Sequence, residues 1–462
     1  MTTRLLLSAV LACLVLAALS LLVADEPVYD AWAWLVWGRE LARLELDMTS
    51  GPAWKPLPVV LAAALSLAGD AAPQLWLVVV RAAWLTAVVL AAQVSLMLTA
   101  GRPPAARLAG AAFAALGVVL LADEVTPWSR QVAGGMAEPL LVALVLGAVG
   151  AGLAGRPRTA LALGALAALT RPEAFALLAV YALWCRRSQP RTRRLALGVA
   201  LAVPALWLLP ELLAGGRAGA TRAQTATSEP LEALGWALAA PLAIAWPLTL
   251  AALHDRRARV LAAGAAGLVA IVAAMTLAGF AGLPRFTAPA AALVGVLGGA
   301  GLAALLARCV RPRGSIVALG AAALALTVLA LPGRVAELAD GWRTAARDGV
   351  SHDRLRAVAG AVGRDRLLAC GRLATSETLV RTALAWRLGV PLSAVVSFAD
   401  PPRLSGAFVV DLEARPQLRE VMGGVATQVA RNGEWRVYSI DCPATASSSR
   451  PARSAGVTGA TR

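Results

Sequence analysis

"DEPVYDAWAWLVWGRELARLELDMTSGPAWKPLP", residues 25–58, separates two apolar runs and holds nine charged side chains, four tryptophans and the chain's only lysine, Lys55. It is too charged to cross a bilayer and too aromatic for an ordinary solvated loop. Pro27 suits a first helical position, with Asp25 or Glu26 before it as cap. Beyond it, Trp34, Trp37, Leu41 and Leu44 recur at spacings of three and four, which predicts an amphipathic helix. Arg39, Glu40 and Arg43 fall on its other side. Such a helix lies along the membrane interface with its tryptophans at headgroup level, and holds Asp25, Glu26 and Asp30 near the membrane surface. Glu40, Glu45 and Asp47 read as solvated. Lys55 ends the stretch, and Pro56 and Pro58 stiffen the return to the membrane. It is one lysine among 43 basic residues. A cation that only snorkels to headgroups could as well be arginine, whereas a compact ammonium suits a phosphate.

On both sides of this stretch the chain is apolar. It has 462 residues, of which 59% are hydrophobic and 15% charged, where soluble chains carry about 25% charged residues. Apolar spans fall near 4–24, 76–98, 107–122, 135–154, 158–170, 173–185, 195–213, 233–253, 260–280, 286–307 and 315–332, with 57–69 as a partial or re-entrant segment. Such lengths fit a hydrocarbon core about 30 Å thick. The net charge of +16 comes from arginines in short loops, such as 101–107, 155–158, 186–194, 254–259 and 308–314. These alternate with loops carrying most of the acids. This is the positive-inside pattern, with the basic loops at the cytoplasmic lipid surface, and it argues against a nucleic-acid partner. Eleven crossings of the plasma membrane from a cytoplasmic N-terminus put the C-terminal region outside. Span 4–24 reads as an uncleaved anchor rather than a signal peptide, because no A-x-A site follows it.

The reading divides the chain into an all-α polytopic membrane domain (1–332), a small extracytoplasmic α/β domain (333–442) and a disordered tail (443–462) rich in Pro, Ser and Ala. In the second domain, residues 350–371 read as a helix then a strand, 376–390 as a helix, and "GAFVVDL" and "EWRVYSIDC" as strands. Cys13, Cys185 and Cys309 belong to or flank the spans and read as small apolar residues. Cys370 and Cys442 can pair in an oxidising compartment.

Three other places concentrate polar residues at the outer ends of spans. In "DEVTPWSRQVAGGMAEP" (123–139), Asp123 and Glu124 end one span and Glu138 opens the next. A carboxylate within an apolar span costs about 2.5–3.5 kcal/mol and is a functional candidate; at a first turn it also suits the helix dipole. In "LTRPEAF" (169–175), Thr170 can cap, Pro172 fits a first turn and Glu173 suits the dipole, but none of this accounts for Arg171. Arg171 lies between two spans too short to reach the surface, so a recessed cavity lined by it follows. In "AGLPRFTAP" (281–289) a lone Arg285 opens a span, either snorkelling or facing the same cavity. Carboxylates near the interface can deprotonate a hydroxyl, and Lys and Arg can hold a phosphate. With His254 and His352 alone, there is neither a His-dependent triad nor a His-ligated metal site. His254, in a basic loop, reads as solvated.

The chain resembles the GT-C superfamily of integral membrane glycosyltransferases over roughly residues 4–310. It is similar to lipid A aminoarabinose transferases, protein O-mannosyltransferases and actinobacterial mannosyl- and arabinosyltransferases. The resemblance rests on an acidic pair after the first span (Asp25, Glu26, followed by Tyr29), an interfacial helix, and the Lys55–Pro56 step. It continues with Arg81 within an early span, Glu138 opening a span, the step Arg171–Pro172–Glu173, and the step Arg285–Phe286. It implies a polyprenyl-phosphate sugar donor, inversion at the anomeric carbon, a site on the external face and an Asp of the first loop as base. Asp25 matches the acidic pair and Asp30 matches an Asp-x-Trp form, so both stand as candidates. Phe286 occupies a place where the family often has Tyr. The substrate-binding set is Glu26, Lys55, Asp123, Glu124, Glu138, Arg171, Glu173 and Arg285. Some relatives use a divalent cation, and the clustered acids would allow Mg or Mn. The expected function is transfer of a sugar from a polyprenyl-phosphate donor to a cell-envelope glycan, lipid or protein, beside membrane lipid. The alternatives are a transporter or flippase of a lipid-linked glycan, which would show inverted repeats, and a non-catalytic scaffold for envelope enzymes.

Overall fold

The computed structural model describes residues 3–121, 123, 125–213, 230–242, 246–308, 314–370, 373–375, 377–397, 406–412 and 426–442. Glu124, Cys309, most of the basic loop 308–314 and the tail 443–462 therefore lie outside the described residues. The chain divides into two units, Met1–His352 with Leu379–Ser393, and Asp353–Thr378 with Ala394–Arg462.

The first unit is helical. Its helices are α1 (Thr3–Leu19), α2 (Tyr29–Ala42), α3 (Pro56–Ser66), α4 (Ala72–Leu98), α5 (Pro104–Val119), α6 (Trp128–Ala133), α7 (Glu138–Leu153), α8 (Pro157–Thr170) and α9 (Glu173–Ser188). They are followed by α10 (Arg193–Leu213), α11 (Pro230–Leu242), α12 (Trp246–Ala252), α13 (Arg256–Leu277) and α14 (Ala288–Arg308). Among the described residues, four helical stretches are long and apolar enough to cross a membrane: Gly69–Leu98, Pro190–Pro210, Arg256–Leu277 and Pro284–Arg308. The helices α7, α8 and α9 have only 16, 14 and 16 residues. At 1.5 Å per residue that is about 21–24 Å, short of a 30 Å core. The expected span 233–253 is divided between α11 and α12, with 243–245 outside the described residues. The span expected to end at 332 continues as α15 (Gly314–Val362), a 49-residue helix containing Pro332.

The core of this unit is made mainly by α4, α5, α7 and α14, through Ala87, Ala91, Val94, Ala114, Val142, Leu146 and Val296. Small residues dominate because tight backbone approach, rather than side-chain bulk, holds helices together in an apolar medium. A Cβ on Gly110 would lie 2.4 Å from the Gly299 carbonyl oxygen, so α5 and α14 meet backbone to backbone.

The structure corrects the reading of residues 25–47 at several points. Helix α2 begins at Tyr29, with Val28 rather than an acid at the N-cap and no side-chain cap. Val28 is held extended while its N–H donates to the Gly134 carbonyl at 2.9 Å, which delays the first helical residue past Pro27. Trp34 and Trp37 are fully buried rather than at headgroup level. They pack edge-on to Trp76 and tilted on Trp54, respectively. The cause is Gly38, where a Cβ would sit 2.5 Å from the Ala62 carbonyl carbon, so that α2 lies directly on α3. The opposite side of α2 is also covered. Arg39 donates to the Trp386 and Val390 carbonyls, both at 2.9 Å. Glu40, expected to be solvated, is buried and accepts the Asp47 N–H at 3.1 Å. Asp47 is half-buried, and only Glu45 of the three acids is exposed. Burial pushes the Glu40 carboxyl up to about 7. The residues that cover α2 belong to α17 (Thr378–Leu388) and the turn after it.

The second unit has one five-stranded sheet, β1 (Leu373–Thr375), β2 (Val395–Ser397), β3 (Ala407–Leu412), β4 (Ala426–Asn432) and β5 (Trp435–Ile440), in the order β2-β1-β3-β5-β4. The strands β1, β2 and β3 pair in parallel, and β3, β5 and β4 antiparallel. Residues 364–369, expected to lead into a strand, form the helix α16 (Arg364–Ala369), and the strand starts only at Leu373. The strands β2 and β4 were not anticipated. β4 is a polar edge strand with an irregular register, so it lacks the apolar alternation that marks a strand in sequence. Cys370 and Cys442 are joined by a disulfide, while Cys13 and Cys185 are buried and free.

Candidate active site

The three short helices bring polar ends together. Glu138 is the first residue of α7, Arg171 follows α8, and Glu173 is the first residue of α9. The caps differ from expectation. Thr170 ends α8 and donates back to the Leu166 carbonyl at 3.0 Å, and Pro172 is the N-cap of α9. This leaves Arg171 extended between two helices, with its side chain free to turn inward.

Glu138 has no solvent-accessible surface. Arg171 reaches its Oε1 through Nε at 3.1 Å and also through Nη2. Lys55 Nζ lies 3.6 Å from the same oxygen and Arg285 Nε 3.8 Å from it. Arg171 Nη1 also pairs with Glu173 at 3.3 Å. Three cations from three distant parts of the chain thus converge on one carboxylate oxygen. A buried carboxylate is tolerated because it is paired, but the pairing is incomplete. Lys55 Nζ, Arg285 Nε, Glu138 Oε2 and Glu173 Oε2 are all buried without a hydrogen-bond partner among the described residues. Unfilled buried donors on converging cations are the features of an anion site.

Aromatic faces hold the cations in place. Lys55 Nζ lies 4.6 Å from the centre of the Trp34 ring. The Arg171 and Arg285 guanidinium carbons lie 3.8 and 5.7 Å from the Phe286 ring. The sequence reading placed Trp34 at the interface, so its role beneath Lys55 was missed. Burial lowers the Lys55 ammonium to about 8, against the opposing pull of Glu138. Asp30 stands one helical turn before Trp34, on the same face of α2. Its charge acts on both Lys55 and Arg171, and it forms no hydrogen bond among the described residues.

The remaining candidates lie in other surroundings. Asp25 is exposed and acts electrostatically on Arg81. Arg81 is buried and binds Ser20 Oγ and the Ala24 and Ala133 carbonyls at 2.9, 2.7 and 2.5 Å. Glu26 accepts from Trp32 Nε1 at 3.1 Å, from Arg387 at 3.1 and 3.2 Å, and pairs with His352. It therefore fixes α17 against the start of α2. His352 and Arg387 are 326 and 361 residues away in sequence, and no local signal could have revealed the contact. Asp123 is buried and closes its own loop. It accepts the Val125 and Thr126 N–H groups at 2.9 and 3.0 Å and Gln131 Nε2 at 2.6 Å. Burial raises its carboxyl, with those bonds and the charge of Arg285 opposing. His254 is exposed, beside Arg102. Among the described residues no three Asp, Glu, His or Cys side chains stand together so as to hold a metal ion.

No family model matches the chain, and neither does any curated protein sequence. Solved structures do, two of ArnT among them. The crystal structure of ArnT from Cupriavidus metallidurans bound to undecaprenyl phosphate is 17% identical, with a TM-score of 0.52 over 98% of this chain and 100% of that one. The apo structure of the same protein is 17% identical, with a TM-score of 0.50 over 95% and 98%. At this identity the likeness is one of fold, and it extends over the helical unit and the C-terminal sheet alike. The chain therefore has the fold of ArnT, and the GT-C resemblance read from its sequence is borne out at the level of fold.

Proposed function

We propose that this chain is a membrane glycosyltransferase that moves a sugar from a polyprenyl-phosphate donor to a cell-envelope acceptor, with inversion, on the external face of the plasma membrane. The observation that carries the reading is the convergence of buried Lys55 and Arg171 and half-buried Arg285 on Glu138, with the Lys55 and Arg285 donors unfilled among the described residues. Glu138, Arg171 and Glu173 lie at the ends of helices too short to span a bilayer, which suits a lipid phosphate. The related ArnT structure contains undecaprenyl phosphate, which supports a lipid of that class here.

The chemistry asks little beyond positioning and charge stabilisation. The acceptor hydroxyl oxygen attacks the anomeric carbon. The bond from that carbon to the phosphate oxygen breaks, and its electron pair leaves with the polyprenyl phosphate. The hydroxyl proton passes to a carboxylate, and Asp30 is suited to accept it, since its charge acts on Lys55 and Arg171 and its side chain forms no hydrogen bond among the described residues. Lys55, Arg171 and Arg285 receive the charge that develops on the phosphate. Glu26 and Asp123 hold the neighbouring loops. The positive-inside pattern supports a cytoplasmic N-terminus and an extracytoplasmic C-terminal unit.

Transfer from radiolabelled polyprenyl-phosphate sugars to a membrane extract tests the reading. Asp30→Asn is expected to abolish transfer with lipid binding retained, and Asp25→Asn to reduce it modestly. Full transfer by Asp30→Asn would remove Asp30 from the chemistry. Loss of glycan export without loss of transfer in a deletion strain would favour a flippase.

A further inference from the structure

The donor and the spent lipid ask for different counter-charge at the site. Lys55, Arg171 and Arg285 contribute three positive charges, Glu138 and Glu173 two negative ones, and the carboxylate of Asp30, whose charge acts on Lys55 and Arg171, a third, so the set carries no net charge. A sugar phosphodiester donor carries one negative charge. The released phosphomonoester carries close to two at pH above its second pKa of about 6. Transfer moves the hydroxyl proton to Asp30 and one negative charge to the phosphate, so the total is unchanged by the reaction; once Asp30 has released that proton, a dianion faces a set with no net positive charge, where the donor put only a monoanion. A buried charge without its counter-charge is costly. Glu138 and Glu173 both lower that count, and Glu138 is the one that meets all three cations. It has no contact with solvent, the cations converge on its Oε1, and its Oε2 accepts no hydrogen bond among the described residues. A carboxylate whose only task was to anchor Arg171 would not need to draw in Lys55 and Arg285 as well.

Resting on the transferase reading above, we propose that Glu138 is a specificity-determining residue that tunes the phosphate site to the singly charged donor and against the doubly charged product, so that spent polyprenyl phosphate leaves. Glu138 competes with the ligand for the same three cations. It holds Lys55 and Arg285 at 3.6 and 3.8 Å from its own Oε1, close enough for attraction but too far for a hydrogen bond. A ligand oxygen can then recruit both donors without first breaking a bond.

The test uses the purified full chain in nanodiscs, with undecaprenyl phosphate and its methyl diester as probes, at a pH of about 7.5 where the monoester is largely a dianion. Wild type is expected to bind the diester at least as tightly as the monoester. Glu138→Gln keeps an oxygen to accept from Arg171 but removes the negative charge. It is expected to bind the monoester about tenfold tighter or more, equivalent to about 1.4 kcal/mol, and to shift diester binding by less than about threefold. Glu138→Asp keeps the charge and must keep the wild-type preference. If Glu138→Gln weakens both lipids or leaves their ratio unchanged, or if Glu138→Asp behaves like Gln, the inference fails while the transferase reading stands. If wild type binds neither lipid, the transferase reading itself falls, and this inference with it.

Discussion

Replacing Lys55 tests the site most directly. Lys55 is 5% exposed, and its ammonium lies 3.6 Å from Glu138 and 4.6 Å from the centre of the Trp34 ring. The centre of charge of a leaving phosphate in contact with it would lie about 4 Å away, where one unit of charge is worth about 4 kcal/mol at an effective dielectric of about 20. During transfer the phosphate gains one unit of negative charge. With about half of it developed at the transition state, Lys55→Gln loses about 2 kcal/mol of differential stabilisation, or about 30-fold in kcat. The KM for donor rises as well, because the donor phosphate is already charged. Lys55→Arg separates charge from shape. It keeps the cation, but a planar guanidinium overfills a buried space, a change that costs about 1–3 kcal/mol. It is therefore expected to lower kcat/KM about tenfold while the protein remains folded. A pH profile adds a second readout. The working form of Lys55 is its conjugate acid, present below its pKa of about 8. Wild-type kcat/KM should therefore fall as pH rises through about 8, since kcat/KM reports the free enzyme. In Lys55→Arg that alkaline limb should disappear. Initial rates with a radiolabelled donor between pH 6 and 10 would decide. If Lys55→Arg keeps the wild-type kcat/KM and the same alkaline limb, neither the compact ammonium nor its titration matters, and the phosphate assignment is refuted.

Three further outcomes follow from the structure. Glu40 is buried with its carboxyl raised to about 7, so the folded state holds a proton that the unfolded chain releases near 4.5; stability should fall by about 1–3 kcal/mol as pH rises from 4.5 through 7, and Glu40→Gln should flatten that fall in thermal melts at pH 5 and 8. Gly38→Ala places a methyl 2.5 Å from the Ala62 carbonyl carbon, and the forced separation of α2 from α3 is expected to lower Tm by several degrees; an unchanged Tm would mean that the two helices are not held by backbone contact. Replacing both Cys370 and Cys442 by Ser opens a loop that spans 72 residues, and should destabilise the sheet unit by about 2–4 kcal/mol, read as faster proteolysis of that unit without loss of membrane insertion.

Much of this molecule could be read before it was folded. Hydropathy and spacing are local properties, and each apolar span carries its own evidence of being a helix. Arg171, Glu138 and Arg285 stood out because an isolated charge beside an apolar span is costly enough to need a reason. Lys55 stood out because a chain that otherwise uses arginine retained it. The polar edge strand β4 and the burial of Glu40 were not legible, since each depends on a neighbour far away in the sequence.

What the sequence alone determined is the polytopic helical architecture, the short helices with polar ends and the identities of the candidate cations. Only the tertiary structure decided that residues 55, 171 and 285 meet at Glu138, that the charge of Asp30 acts on Lys55 and Arg171 while that of Asp25 acts on Arg81, and that Trp34 is a buried support for Lys55. The physical reason is that periodicity fixes which side chains share a face of one helix, whereas the face presented to a partner depends on backbone contacts such as Gly38 against Ala62 and Gly110 against Gly299. Those contacts set the distances between charges that are remote in sequence, and the site is made of those distances.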